Sequence, residues 1–589
     1  MAFDVVAASY REQEKVRTPL QLTVLTGLLM GFIMVYVAAV GILKMFNERW
    51  IIVDYVTLGQ TVLILAALFT GVLIARKTTA RSFAAQALQG FAGGAIAGGF
   101  LSLLIVLIAN FKLRFMFVAL SKPLYKILTF GAGTWGGVAI LIAAGAVIGL
   151  LGALLYMTPE RVRRPLIIGL ATAAMAGLFQ ELIQLMLQTG VANQIRAFFF
   201  TYDGLRLQGF VAIGIAVAAG VVIWGRNRED VTQRFHHLPV AQQKTIRVMG
   251  MATGLFILLA FPLLAGNFIG QVMMLVGLYI LMGMGLNLEL GLAGLLDLGF
   301  VAFFAVGAYT TALLTADTPY ALAAWSYWQA LPVAVVLSLA VGVLFGVPVL
   351  RVRGDYLAVA TLGLGEIVRV LVLSDMAEPV LGGAQGLLNI PRPVIGEFEL
   401  DNPVALFYLT LACSAVVAYF AWRLENSRLG RAWTAIRDDE DVAQALGINL
   451  VNVKLLAYGL GAAFAGVAGS IFGVMLGSIF PHSFQLLISI NVLALIIVGG
   501  MGSLPGVVVG AAMLIGMPEL LREFGEYRFL FYGLVIVAMM RIKPEGLWPS
   551  AARKREMQGV EDAKSAIQAE LGTSTVAAAA AKPPGQDGT

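Results

Sequence analysis

The sequence predicts an all-α polytopic membrane protein: a core of about ten helices preceded by about six extra transmembrane helices, counted by apolar length. Three observations carry this. The 589 residues are 59% hydrophobic and 13% charged, which leaves too little polar surface for a soluble chain of that size. Apolar runs of about twenty residues recur along most of the length, each enough to cross a hydrocarbon core as a helix. These runs are continuously apolar, without the alternation of a barrel strand, and backbone groups in lipid must be paired within the segment. The 66 glycines fit the same picture, because small residues let membrane helices approach closely.

The first expected spans cover 22–43, 58–75, 91–108, 135–157, 166–187 and 210–224. A basic linker, 225–247, carries GRNREDVTQRFHHLPVAQQKTIR. Ten further segments follow at 248–264, 272–288, 295–314, 331–349, 356–373, 406–422, 455–475, 486–498, 507–517 and 529–540. The short pair 486–498 and 507–517 is separated by GGMGSLPG and reads as two tilted spans or one re-entrant element. The expected organisation is a membrane extension with its linker over 1–247, a core over 248–549 and a cytoplasmic tail over 550–589. The polar N-terminus lacks the apolar region of a cleaved signal, so the first span is expected to insert uncleaved.

Lys and Arg set the orientation. With Arg11, Lys15 and Arg17 inside, Arg76, Lys77, Arg81, Arg161, Arg163, Arg164, the linker, Arg351, Arg353, the 425–454 loop, Arg541 and Lys543 also fall inside. Both termini are then cytoplasmic. Lys112, Arg114, Lys122 and Lys126 oppose this parity. The loop 374–402 carries Asp375, Glu378, Glu397, Glu399 and Asp401 and falls outside. The net charge of +6 reflects these inner Lys and Arg residues and does not indicate a nucleic-acid partner.

The longest polar interruption is ENSRLGRAWTAIRDDEDVAQALGINLVNVK, 425–454. Gly430–Leu446 has the length of about four helical turns. Ala432, Ala435, Ile436, Val442, Ala443, Ala445 and Leu446 alternate with Arg431, Arg437, Asp438, Asp439, Glu440 and Asp441, and Gly447 stands where a left-handed cap ends a helix. A single stiff helix clamped between two spans can pass a push from a soluble partner into the membrane. The competing reading is an amphipathic helix lying on lipid.

Asp441-Val442-Ala443, three residues, then Gly447 resembles a degenerate E-A-A-x-x-x-G loop of ABC-importer permeases. GLNLELGLAGLLDLGFVAFFAVGAYTTALL (285–314), RVRGDYLAVATLGLGEIVR (351–369), GGAQGLLNIPRP (382–393), SRLGRAWTAIRDDEDVAQALGIN (427–449) and ALIIVGGMGSLPGVVVGA (494–511) resemble the LivM family. These are permease subunits of branched-chain amino-acid ABC importers. The likeness runs from 248 to about 549 in order; 1–247 exceeds the family's usual length, and Asp297 replaces a smaller or neutral residue. It implies an ATP-driven importer in the bacterial inner membrane. The implied partners are a homologous permease subunit, two ABC ATPase subunits and a periplasmic solute-binding protein. The implied coupling element comprises Gly430, Arg431, Ala432, Arg437, Asp438, Asp441, Ala443 and Gly447.

Ionisable groups at membrane depth are functional candidates by default. Asn287, Glu289 and Asp297, with the glycine cluster Gly499, Gly500 and Gly502, are candidates for a polar substrate pathway. The competing reading makes Glu289 and Asp297 solvated ends at the inner interface, and the glycines a tight turn. Glu366 and Arg369, three apart on a helix, read as a structural ion pair. Gly382, Gly383, Gln385 and Gly386 lie in a flexible outer loop that the resemblance assigns to binding-protein docking.

The sequence contains no G-x-x-x-x-G-K-[ST], so the chain is expected to be a transport subunit that binds no nucleotide, with ATP used by its partners. His236, His237 and His482 lack metal-ligand spacing, and Cys413 has no internal thiol partner. An ion-coupled secondary transporter and a non-transporting membrane scaffold are the alternatives.

Overall fold

The computed structural model describes residues 19–550 apart from 78–81, 112–116, 118, 188–191, 202, 238, 321, 350–351, 353–354, 526 and 544. Arg11, Lys15, Arg17, Arg81, Lys112, Arg114, Arg351, Arg353 and the tail from 551 therefore lie outside the described residues. The chain divides into two compact units, Met1–Ile257 and Leu258–Thr589.

The all-α polytopic class holds. Among the described residues, eleven helices are long and apolar enough to cross a membrane, or twelve if one bent pair counts as a span. Shorter helices, Val301–Thr315, Leu504–Leu520 and Tyr527–Ile542, occupy three more expected segments. The expected segments 248–264 and 272–288 share the helical run Val240–Leu286, which is interrupted at Gly266 (φ 83°, ψ −178°). The same run, with Leu207–His237 before it, makes the described part of the expected linker helical except at Pro239.

In the first unit, Pro19–Val40, Leu58–Lys77, Phe83–Asn110 and Gly133–Met157 form one bundle. Glycines set its spacing. A methyl group on Gly94 would lie 2.1 Å from the Gly145 carbonyl oxygen, and one on Gly71 would overlap the Gly149 carbonyl. Glu160–Leu178 packs on Leu207–His237 and turns by 74° into Gln180–Met186, so the expected span 166–187 is broken. A small sheet of Val56–Thr57, Trp50–Ile52, Gly204–Leu205 and Phe200–Thr201, in that spatial order, joins the loops of this unit.

The second unit is built around Leu450–Leu476, a helix rich in buried Gly and Ala. Val301–Thr315 and Tyr327–Val349 pack closely on it and on each other. Pro403–Glu425 starts at an Asn402 cap and leads into the polar loop. Leu486–Gly499 and Leu504–Ala511 form a tight antiparallel pair, continued by a π turn over Ala512–Gly516.

Candidate functional site

The segment carrying Asn287, Glu289 and Asp297 is a helix break. The α-helix ends at Leu286 and widens into a π turn over Asn287–Leu292. Gly294 then takes φ +74°, a conformation that favours glycine, and the helix resumes only at Val301. The expected span 295–314 is therefore non-helical over its first residues. Single π turns inside helices often mark functional sites.

Side chains from distant elements satisfy the freed backbone groups. The Asn287 Oδ1 accepts from the Gly502 N–H at 2.9 Å. Thr361 Oγ1 accepts from Leu298 N–H at 3.0 Å, and Ser489 Oγ accepts from Val301 N–H at 3.0 Å. Asp297 Oδ1 accepts from Gly299 N–H at 2.7 Å. The Ser489 bond gives the first N–H of Val301–Thr315 an acceptor that a helix start lacks, and the Thr361 and Asp297 bonds hold the turn leading into it.

Glu289 and Asp297 are not solvated ends. Their relative exposures are 0% and 1%, and Tyr458, at 1%, stands beside them. The three are electrostatic neighbours, yet both Glu289 carboxyl oxygens, Asp297 Oδ2 and Tyr458 Oη lack a well-formed hydrogen bond. Native interiors pair the great majority of such atoms. Gly461 creates the space for this cluster: a methyl group there would lie 1.9 Å from Glu289 Oε1.

The polar loop departs from the expected single helix over 430–446. It forms two helices, Arg428–Asp438 and Glu440–Ala445, separated at Asp439 (φ −159°, ψ 114°). The Asp439 carboxylate accepts from the Asp441 and Val442 N–H groups at 2.9 and 3.0 Å and caps the second helix. Gly447 has the expected left-handed conformation, φ +87°. Gly430 and Ala443 are buried, Ala432 and Arg437 half-buried, and Arg431, Asp438, Asp441 and Gly447 exposed. Val442 and Leu446 form an exposed apolar ridge beside the acidic residues.

Three contacts anchor these helices. Trp433 is fully buried and donates from Nε1 to the Val453 carbonyl at 2.8 Å. Lys454 pairs with Glu440. Arg437 Nη1 donates to the Gly291 carbonyl at 2.9 Å, inside the π turn. The loop therefore holds the helix break directly, and the break holds the glycine turn through Asn287.

Gly499, Gly500 and Gly502 form a tight turn. Gly500 and Gly502 have φ +125° and +73°, and Gly499 lies against the Gly506 carbonyl. The Leu547 and Trp548 N–H groups donate to the Val498 and Gly499 carbonyls, each at 2.8 Å.

The 378–387 segment, expected on the outer side, is more ordered than a flexible linker. Gly382 caps Glu378–Leu381, Gly383–Gln385 forms one 3-10 turn, and Gly386 has φ +69°. Leu387 and Ile479 exchange backbone hydrogen bonds of 2.9 and 2.7 Å, which pins the loop to the chain beyond Leu476.

Glu366 and Arg369 form the expected ion pair. Sequence reasoning did not single out Tyr458, Thr361, Ser489, Trp433 or Lys454. The one available signal was a bulky polar residue, Tyr458, at the start of a Gly- and Ala-rich helix.

A helix broken within an apolar stretch and tied to a polar loop is an arrangement that membrane transport subunits use. Residues 268–540 match the family described as branched-chain amino acid transport system / permease component. The chain is 37% identical over 336 residues to LivM, a high-affinity branched-chain amino acid transport system permease protein of Escherichia coli K12, covering 53% of this chain and 77% of that one. It is 22% identical over 238 residues to a probable LivM of Methanocaldococcus jannaschii, covering 37% and 67%. It is 27% identical over 176 residues to LivH of Salmonella typhimurium LT2, covering 29% and 55%. No solved structure matches. The chain belongs to the branched-chain amino acid transport permease family, and its first unit, Met1–Ile257, lies outside the residues that match the family.

Proposed function

We propose that this chain is one permease half of an ATP-driven importer for branched-chain or related hydrophobic amino acids, set in the bacterial inner membrane with both termini cytoplasmic. A homologous permease subunit forms the other half of the pathway. Two ABC ATPase subunits bind the exposed face of the loop helices, and a periplasmic solute-binding protein docks over Gly382–Gly386. The chain binds no nucleotide and no nucleic acid; its partners use ATP, and lipid covers its exposed apolar faces.

The bond from Arg437 to the Gly291 carbonyl carries this reading. Closure of the ATPase pair displaces the loop helices, and Arg437 and Trp433 pass that displacement to the helix break and to Leu450–Leu476. Nucleotide drives transport to the extent that it stabilises one arrangement of the break over another.

ATP-dependent leucine uptake by vesicles holding the assembled complex tests the proposal, with Asp441→Arg as the loop variant. The expected result is assembly weakened and uptake lost. Wild-type uptake that ignores ATP but follows a sodium or proton gradient would establish an ion-coupled carrier instead. The buried Glu289 and Asp297, with three of their four carboxyl oxygens lacking a hydrogen-bond partner, favour that second reading.

A further inference from the structure

A narrow cleft in the second unit runs between Val301–Thr315, Asp355–Leu373 and the Pro481–Ser483 turn. Ala302, Ala305 and Tyr309 share one face of the first helix, and Val368, Arg369 and Val372 one face of the second, by their three- and four-residue spacing. Phe484 completes the apolar wall. The cleft encloses little more than a water's worth of space, so this conformation is closed there.

Two polar features stand in or beside this apolar cleft. Glu366 and Arg369 stand about 10 and about 6 Å from the nearer end, Leu373, of the apolar span Tyr356–Leu373, at 1.5 Å per residue. Their side chains remain 48% and 33% exposed, and charges at such depth normally face protein or a polar path. Tyr309 lines the cleft, is 6% exposed, and its hydroxyl has no hydrogen-bond partner. A buried tyrosine hydroxyl ordinarily has one.

We propose that this cleft is the chain's share of the substrate path, holding a zwitterionic amino acid with an apolar side chain. The Arg369 fork and the Tyr309 hydroxyl donate to its carboxylate, and Glu366 accepts from its ammonium group. The branched side chain lies among Ala302, Ala305, Val368, Val372 and Phe484, where no donor or acceptor asks for a polar partner. Without substrate, Glu366 and Arg369 satisfy each other. The zwitterion exchanges one ion pair for two of the same kind, so it is held weakly enough to leave, as transport requires. The inference rests on the importer reading above.

Photo-leucine, a diazirine analogue, supplied to the assembled importer tests it. Irradiation is expected to label peptides containing 301–309 or 365–372, with labelling suppressed by excess leucine. Glu366→Gln and Arg369→Gln are each expected to lower leucine uptake about tenfold at an unchanged melting temperature, since an exposed pair contributes little to stability. Ala305→Phe should reduce leucine uptake more than alanine uptake. Label confined to other segments, wild-type uptake by both charge variants, or lower uptake that tracks a lower melting temperature would each overturn the cleft assignment. Absence of ATP-dependent uptake by the wild-type complex would instead overturn the importer reading.

Discussion

Gly461 and Glu289 illustrate how one missing methyl group admits a buried carboxyl. Gly461→Ala forces Glu289 Oε1 to move, because the added carbon would lie 1.9 Å away. Overpacking of this kind costs about 1–3 kcal/mol. The expected result is a lower melting temperature in detergent, partly restored by Glu289→Ala in the same chain; strict additivity of the two changes would refute the contact. Arg437 is tested separately. Its hydrogen bond to the Gly291 carbonyl belongs to the charged class, worth about 1.5–3 kcal/mol before solvent screening of the half-buried side chain. Arg437→Ala is expected to lower uptake about tenfold, the factor equivalent to 1.4 kcal/mol, with subunit assembly intact by co-purification. Undiminished uptake would place the transmission elsewhere. The residue types were legible in the sequence, but their depth was not. Whether Glu289 and Asp297 meet water depends on where the helix breaks, and Gly502, 215 positions from Asn287, helps to fix that.

At the scale of elements, the polar loop shows what periodicity reads and what it misses. Its amphipathic pattern and its Gly447 cap were legible. The break was not, because Asp438, Asp439 and Glu440 form a charged run that fits a helix as well as a cap. Asp439 adopts an extended conformation and directs its carboxylate to two N–H groups, giving a two-piece lever with a joint. The anchors of the pieces differ in strength. Trp433→Ala empties a fully buried site, a change that costs about 3–5 kcal/mol. Asp439→Ala removes a cap worth about 1 kcal/mol. Trp433→Ala is therefore expected to expose 425–454 to limited proteolysis and to uncouple uptake, whereas Asp439→Ala should alter both only slightly. Equal protease resistance of Trp433→Ala and wild type would show that the lever has another anchor. The 378–387 loop teaches the converse lesson. Its glycines suggested flexibility, but the pairing of Leu387 with Ile479 joins segments about ninety residues apart and spacing could not reveal it.

Over the whole molecule, the polytopic class was legible because lipid leaves few choices for an apolar backbone. Most expected spans have a helix at their position. The departures fall where helices bend or end early: at Gly266, at the 74° turn after Leu178 and before Val301. Hydropathy measures apolar length and does not register a bend that leaves composition unchanged. The glycines gave a second legible feature, close helix contact, and the first unit provides its clearest test. Gly94 faces the Gly145 carbonyl across the bundle, and a side chain there must push two backbones apart. Gly220, also within an apolar helix, has nothing within 4 Å of the position a methyl group would take. Gly94→Leu is therefore expected to destabilise the first unit by at least about 1–3 kcal/mol, the range for ordinary overpacking, while Gly220→Leu leaves it unchanged. Both variants have the same composition and hydropathy, so a difference in folded yield and in protease resistance of 19–257 isolates packing from insertion. Equal behaviour of the two would mean that the glycines serve membrane insertion or helix flexibility, and that the close contacts of this bundle contribute little to its stability.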